Sequence, residues 1–116
     1  MLILQYPRCS TCRNALKYLD QLGLDYESRD ITKEPPTVEE LKEWVPRSGL
    51  PLRRFFNTSG NVYRELGLKD TLDDMTEDEQ MGLLSSNGML VKRPLLVTDD
   101  QVLVGFKAEA YDGLKG

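Results

Sequence analysis

The sequence predicts a mixed α/β protein whose elements run strand, helix, strand, then a helical insert, then strand, strand, helix. Three observations predict this order: a strand-helix-strand pattern near the N-terminus, two helix-capping motifs in the middle of the chain, and a hairpin pattern over residues 95–104. No internal repeat or linker interrupts the chain, so we expect a single domain over residues 1–116.

The N-terminal part of the chain carries the strand-helix-strand pattern. Residues 1–6 (MLILQY) are an apolar run of strand length that Pro7 closes. Apolar residues then recur at helical spacing from Ser10, the expected N-cap, to Gly23, the expected stop. Residues 24–29 (LDYESR) predict the second strand, so the two strands should be parallel with a right-handed crossover.

A helical insert is expected over about residues 35–88. Capping boxes begin two helices, at Thr37 and at Thr76, and Pro46 is expected to end or kink the first of them. Glycines and a proline spread over residues 49–67 predict short helical pieces there.

The C-terminal part predicts a β-hairpin and a short helix. Residues 95–97 (LLV) and 102–104 (VLV) are apolar and of strand length, and the Asp99-Asp100 pair between them is typical of a tight turn. Residues 107–114 predict the last helix.

Composition and charge exclude several classes of protein. The chain is 40% hydrophobic and 29% charged with a net charge of −4, which is ordinary for a globular protein and argues against broad binding to nucleic acid. No apolar run approaches the roughly 18–20 residues that cross a membrane, and the N-terminus lacks the basic segment of a signal peptide. We therefore expect a cytoplasmic, monomeric protein. The acidic stretch 70–79 is expected to be a solvated face that favours the start of the next helix.

The two cysteines of the chain, Cys9 and Cys12, stand three residues apart where the first strand gives way to the first helix. A C-x-x-C motif at this place in a strand-helix-strand unit is typical of a thioredoxin-like redox centre. Free N–H groups and the dipole of the helix N-terminus favour a thiolate on Cys9, and Arg8 and Arg13 add positive charge. Cys9 is the expected nucleophile, and Cys12 is placed to resolve a mixed disulfide.

Two other interpretations of the cysteine pair stay open. A structural zinc site needs four ligands, and a single pair in a chain without histidine would have to recruit carboxylates or a second chain. Alternatively, both thiols are small, inert packing groups. The absence of histidine excludes a Cys–His catalytic dyad.

The second candidate feature is Lys92-Arg93-Pro94, directly before the hairpin. In a thioredoxin-like domain a proline entering this strand has a cis peptide bond and packs against the active-site loop. An ordinary proline at the start of an edge strand explains Pro94 equally well, because few X-Pro bonds are cis.

Taken together, several segments of the chain resemble the arsenate reductase/Spx family, which comprises glutaredoxin-dependent arsenate reductases and Spx-type regulators. The resemblance implies a thioredoxin-like fold with a helical insertion between the second and third strands, and a cis Pro94. The matching segments run in order over nearly the whole chain: YPRCSTCRNALKYL, EPPTVEELKEW, NTSGNVYRELGL, SSNGMLVKRPLLV and VLVGF.

For the arsenate reductases, the resemblance implies that Cys9 attacks arsenate and that glutathione and glutaredoxin reduce the resulting adduct. Three arginines hold the oxyanion in those enzymes, and Arg93 matches one of them. The other two positions fall on Asn57 and near Phe106, so the sequence departs from the arginine set there. The substitutes considered are Arg53, Arg54 and Lys107.

For the Spx-type regulators, the resemblance implies that Cys9 and Cys12 form a disulfide switch and that the protein binds the C-terminal domain of the RNA polymerase α subunit. Whichever role holds, we expect no metal and no bound cofactor, a small oxyanion or disulfide as substrate, and glutathione with glutaredoxin, or thioredoxin, as reductant. The predicted catalytic residues are Cys9, Cys12 and Arg93, and the predicted substrate-binding residues are Ser10, Thr11, Arg13, Asn57 and Pro94.

Overall fold

The computed structural model describes residues 1–114, and its centre is a four-stranded sheet. The strand order is β2-β1-β3-β4, with β1 parallel to β2 and antiparallel to β3, and β4 antiparallel to β3. This is a thioredoxin-like arrangement, which confirms the predicted fold class. The strands are β1 (Leu2–Gln5), β2 (Glu27–Asp30), β3 (Leu95–Val97) and β4 (Val102–Val104).

Helices cover both faces of the sheet, and four of those in the described part of the chain lie between β2 and β3, as the predicted insertion requires. Short 3-10 turns at Leu52–Phe55, Leu72–Asp74 and Gly88–Leu90 connect them. The helices are α1 (Ser10–Gln21), α2 (Val38–Ser48), α3 (Asn61–Glu65), α4 (Leu68–Thr71), α5 (Glu77–Ser86) and α6 (Ala108–Asp112). Among the described residues, none of these helices has the length and apolar character needed to cross a membrane.

Successive strand residues point to opposite faces, so the sheet divides the core into two layers. Leu4 and Leu95 face the insert and pack in a cluster with its buried aromatic residues. Ile3 and Leu96 face the other side and pack with α1 and α6. Neighbouring apolar residues within β1 and β3 therefore belong to different cores, which explains why these strands are continuous apolar runs rather than alternating ones.

Both capping boxes form as predicted, at Thr37 with Glu40 and at Thr76 with Glu79. Of the two alternatives predicted for Pro46, that it ends this helix is wrong, because α2 continues to Ser48; that it kinks the helix stays a prediction. Pro46 is exposed in the last turn, and the helix stops only where Gly49 adopts a left-handed conformation with φ of 70°.

The charged side chains of the acidic stretch 70–79 are exposed, as predicted, but the stretch is more than a solvated segment before the next helix. It contains the end of α4, which the sequence interpretation missed. Leu68 and Leu72, four residues apart, are both buried in the core of the insert, and their burial holds this short helix in place.

Candidate functional site

The first turn of α1 is capped by Cys9, not by Ser10 as the sequence predicted. Cys9 has extended backbone angles (φ −87°, ψ 118°), and its Sγ accepts a hydrogen bond from the backbone N–H of Cys12 at 3.4 Å. Ser10 is already helical, so its hydroxyl does not occupy the cap position. The sulfur of Cys9 thus sits where the unpaired N–H groups and the helix dipole favour a negative charge.

Several groups decide the charge of Cys9. Partial burial raises its pKa, but the N–H and thiol of Cys12, the guanidinium of Arg93 and the N–H of Thr11 lower it by more. The pKa of Cys9 therefore lies below the ordinary value of a cysteine. The thiolate is half-exposed, so a substrate can reach it.

Cys12 has the opposite properties. Its side chain is fully buried, its Sγ accepts a weak hydrogen bond from the backbone N–H of Tyr6 at 3.5 Å, and burial raises its pKa to about 12. Both cysteines are free thiols. The pair is therefore asymmetric, with an activated thiol at the surface and a protonated thiol one turn inside.

Arg93 enters the site from the segment before β3, where the Arg93-Pro94 peptide bond is cis, as the resemblance implied. Its guanidinium lies over the ring of Tyr6, 5.3 Å from the centroid, and Nη1 makes a long hydrogen bond of 3.4 Å to the carbonyl of Val91. Its Nε is buried and has no partner among the described residues. Arg93 is thus held near Cys9, and its Nε remains available to donate a hydrogen bond.

The segment that follows the first 3-10 turn of the insert, and carries Asn57, also reaches the site. Phe56 and Val91 form an antiparallel bridge, and the N–H of Asn57 donates to Leu90 at 2.7 Å. This pairing places Asn57 beside the segment that carries Arg93. Gly60 must stay small, because a Cβ there would lie 2.7 Å from Nδ2 of Asn57.

A pocket of about 430 Å³ opens beside Cys9. The predicted residues Cys9, Thr11, Asn57 and Arg93 line it. Within residues 1–114, no carboxylate side chain contributes to the lining, which suits a negatively charged ligand. Residues that the sequence analysis did not assign to the site also line it, namely Ser59, Asn61, Met89 and Lys92.

The other predicted site residues lie outside the pocket lining. Cys12 is buried behind Cys9, and Pro94 is buried at the start of β3. Ser10 is exposed, and the guanidinium of Arg13 donates to the carbonyl of Pro7 at 3.0 Å. Substrate-binding roles for Ser10, Arg13 and Pro94 stay predictions.

The considered substitutes for the two missing arginines also lie elsewhere. Arg53 is exposed and faces Asp73 at 3.6 Å, whereas Arg54 and Lys107 line a different pocket, beside β4. Phe106 stands edge-on to Tyr111, with ring centroids 4.8 Å apart, in the core beneath α1. The second cation of the site is Lys92, which follows the Phe56–Val91 bridge.

No group of three or more Cys, Asp or Glu side chains that could hold a metal ion comes together in residues 1–114.

The fold and the site define a class: a thioredoxin-like protein with a C-x-x-C pair at the start of its first helix and an arginine and a cis proline facing it. The model of the ArsC family matches residues 4–114, and the chain belongs to that family.

Relatives and solved structures agree with this assignment. The chain is 50% identical over 107 residues to the uncharacterised protein YusI of Bacillus subtilis, covering 92% of this chain and 91% of the relative. The structure of an ArsC family related protein from Bacteroides fragilis is 58% identical, with a TM-score of 0.95 and coverage of 98% and 96% of the two chains.

More distant relatives carry two kinds of name. The structure of arsenate reductase from Vibrio cholerae is 26% identical and superposes with a TM-score of 0.86, over 97% of this chain and 95% of that one. The global transcriptional regulator Spx of Enterococcus faecalis is also 26% identical, over 89% of this chain and 76% of its own. Family membership alone does not decide whether this chain acts as a reductase or as a regulator.

Proposed function

We propose that the protein is a thiol–disulfide oxidoreductase that reduces a small substrate with Cys9 as nucleophile and Cys12 as resolving thiol. One observation carries the proposal: Cys9 caps α1 with a lowered pKa beside Arg93, and Cys12 is protonated one turn behind it. Activated and resolving thiols in this arrangement are what a two-step disulfide exchange needs.

In the first step, the Cys9 thiolate attacks one sulfur of a substrate disulfide. A Cys9–substrate disulfide forms, and the other half of the substrate leaves as a thiolate. Burial is the largest cause of the raised pKa of Cys12, and the negative charge on Cys9 adds to it. That charge is gone once Cys9 has formed the mixed disulfide. Cys12 gives its proton to the departing thiolate and attacks Cys9, and the second substrate half leaves as a thiolate that takes its proton from solvent. Cys9 and Cys12 together supply the two electrons.

The oxidised pair must be reduced again before the next turnover. Glutathione with glutaredoxin, or thioredoxin, is the expected electron donor, because the half-exposed Cys9 offers a sulfur that a second thiol can attack. The disulfide between Cys9 and Cys12 is thus the oxidised intermediate of each cycle rather than a structural cross-link.

Arsenate is the second candidate substrate. The observation that favours it is that Arg93 and Lys92 line the same pocket as Cys9, so two cations face the nucleophile. The position of the third arginine, near Phe106, is taken by a partly buried aromatic ring that packs against Tyr111 and offers an anion no positive charge. We therefore expect weak arsenate reduction at most, measured as arsenate-dependent oxidation of glutathione in the presence of glutaredoxin.

The test of the proposed function is disulfide reduction with two cysteine variants. Pre-reduced wild-type protein, freed of reductant, should reduce hydroxyethyl disulfide in a single turnover and should lose two thiols reversibly as it does so. Cys9→Ser should be inactive, and Cys12→Ser should accumulate a mixed disulfide that mass spectrometry detects. Activity that survives in Cys9→Ser would remove the proposal.

Binding to the polymerase α C-terminal domain is a separate implication of the resemblance, tested by pull-down in both redox states.

A further inference from the structure

Lys92 lines the pocket but has no part in the disulfide exchange described above. Its side chain is exposed, and it forms no salt bridge with any carboxylate in residues 1–114. Its backbone is fixed, because its N–H donates to the carbonyl of Phe55 at 2.7 Å. The stem of the side chain passes Gly105, where an added methyl group would lie 3.8 Å from Cε. An anchored lysine with an unpaired ammonium group is available to a ligand.

The two cations of the pocket have different surroundings. Arg93 lies over Tyr6 and acts on the sulfur of Cys9. Lys92 lines the same pocket, and its stem lies beside Gly105. Because Arg93 already serves the sulfur, the ammonium group of Lys92 remains for another part of the ligand.

The amide side chains of the pocket are arranged as donors. The Oδ1 of Asn57 accepts from the hydroxyl of Ser59 at 3.2 Å, and the Oδ1 of Asn61 accepts from the guanidinium of Arg64. These bonds turn the two carbonyl ends toward partners within the protein. The amide N–H groups then remain for a ligand, so Lys92 and both amides offer donors and positive charge.

We propose that this pocket selects disulfides that carry a carboxylate near the sulfur, and that Lys92 binds this carboxylate. The inference rests on the proposed oxidoreductase function and names its substrate class. A pocket of about 430 Å³ holds a ligand larger than a tetrahedral oxyanion, such as a disulfide of amino-acid or short-peptide size. Lysine binds as a point charge, so it can hold a carboxylate near the sulfur without the fixed bidentate geometry that arginine favours.

The reaction is the same exchange with the substrate now specified. Cys9 attacks the sulfur of the half that carries the bound carboxylate, the other half leaves as a thiolate, and Cys12 then displaces the bound half. The Cys9 thiolate and the Cys12 thiol become one disulfide, one substrate disulfide becomes two thiols, and solvent supplies the second proton. The assay follows this single turnover with pre-reduced protein, so Cys9 and Cys12 supply the two electrons.

The test compares three symmetrical disulfides of similar size: dithiodiglycolate (anionic), hydroxyethyl disulfide (neutral) and cystamine (cationic). Second-order rates are measured for wild type, Lys92→Gln, Lys92→Arg and Lys17→Gln. Lys17 is the matched control, because it is an exposed lysine on α1 that does not line the pocket. Each rate is divided by the rate with the neutral disulfide in the same variant, which cancels differences in Cys9 itself.

We expect the anionic-to-cationic rate ratio to fall roughly three- to tenfold in Lys92→Gln, and to stay near wild type in Lys92→Arg and Lys17→Gln. High salt should reduce the wild-type ratio toward that of Lys92→Gln. An unchanged ratio in Lys92→Gln, with the neutral disulfide still reduced, overturns this inference alone. A wild-type protein that reduces none of the three disulfides overturns the proposed function, and this inference with it.

Discussion

At the scale of single residues, the two cysteines have the same side chain but different pKa values because their surroundings differ. Cys9 accepts the N–H of Cys12 at the helix N-terminus and lies near Arg93, whereas Cys12 is enclosed by the core. Burial raises the pKa of both thiols, and for Cys9 the donors and the positive charge outweigh it. The order of reaction, first Cys9 and then Cys12, follows from this difference.

Replacing Arg93 tests the electrostatic part of that difference. In Arg93→Gln we expect the pKa of Cys9 to rise and the rate of its alkylation by iodoacetamide at pH 7 to fall about three- to tenfold. Arg93→Lys should keep most of the rate, because it keeps the charge. The control is Lys17→Gln, an exposed charge removed elsewhere on α1. If the alkylation profile of Arg93→Gln superposes on that of wild type, Arg93 does not stabilise the thiolate.

At the scale of secondary-structure elements, close backbone packing holds the insert against the sheet. Gly88, at the start of the last 3-10 turn, is buried against the chain leaving β2. A Cβ at Gly88 would lie 1.9 Å from the carbonyl oxygen of Ile31, a contact that only backbone movement relieves. The turn that follows leads directly into Val91 and Arg93, so this contact also sets the position of one wall of the site.

Gly88→Ala is therefore expected to lower the free energy of unfolding by at least about 2 kcal/mol. The matched control is Gly82→Ala in α5, where nothing lies within 4 Å of the added methyl group. That change should raise the free energy of unfolding by about 0.5–1 kcal/mol, because alanine favours the helix. Urea denaturation measures both, and equal stability of the two variants would contradict the packing argument.

A second attachment joins β2 to the first helix of the insert. Arg29 donates to both carboxylate oxygens of Glu40, at 2.9 and 2.8 Å, and its guanidinium lies 5.8 Å from the ring centroid of Trp44. The Arg29 bonds lower the pKa of Glu40, and the Thr37 N–H adds to this. Only the charged carboxylate makes both contacts fully, so this attachment depends on pH.

Glu40→Gln should lower the free energy of unfolding by about 1–2 kcal/mol at pH 7, because it weakens the Arg29 pair while glutamine still completes the capping box. The folded pKa of Glu40 is depressed, so its contribution is complete above the unfolded value of about 4.3 and is lost as pH falls through the folded pKa. The difference from wild type should thus shrink at pH 3. Glu39→Gln, an exposed neighbour, is the control, and a difference independent of pH would contradict the assignment.

At the scale of the whole molecule, the order of elements was predictable because its signals are local: apolar runs, capping boxes and a tight turn. The same was true of Cys9 and Arg93, which stand next to recognisable junctions. Lys92 stands beside Arg93 in the same candidate segment, but no local pattern distinguishes it from a solvated surface lysine. Asn61 was not assigned to the site, because what brings its segment toward Cys9 is the long-range bridge between Phe56 and Val91. A pairing of two residues so far apart in the chain leaves no periodic pattern in the sequence.

The central claim is that the assembled fold lowers the pKa of Cys9 and raises that of Cys12, so that Cys9 loses its proton first. The most direct measurement is a pH titration of thiolate ultraviolet absorbance in the reduced protein, with Cys9→Ser to assign the transitions. We predict one transition below the ordinary cysteine range, absent in Cys9→Ser, and a second that begins only at strongly alkaline pH. Two transitions that both lie at or above the ordinary cysteine pKa would contradict the account.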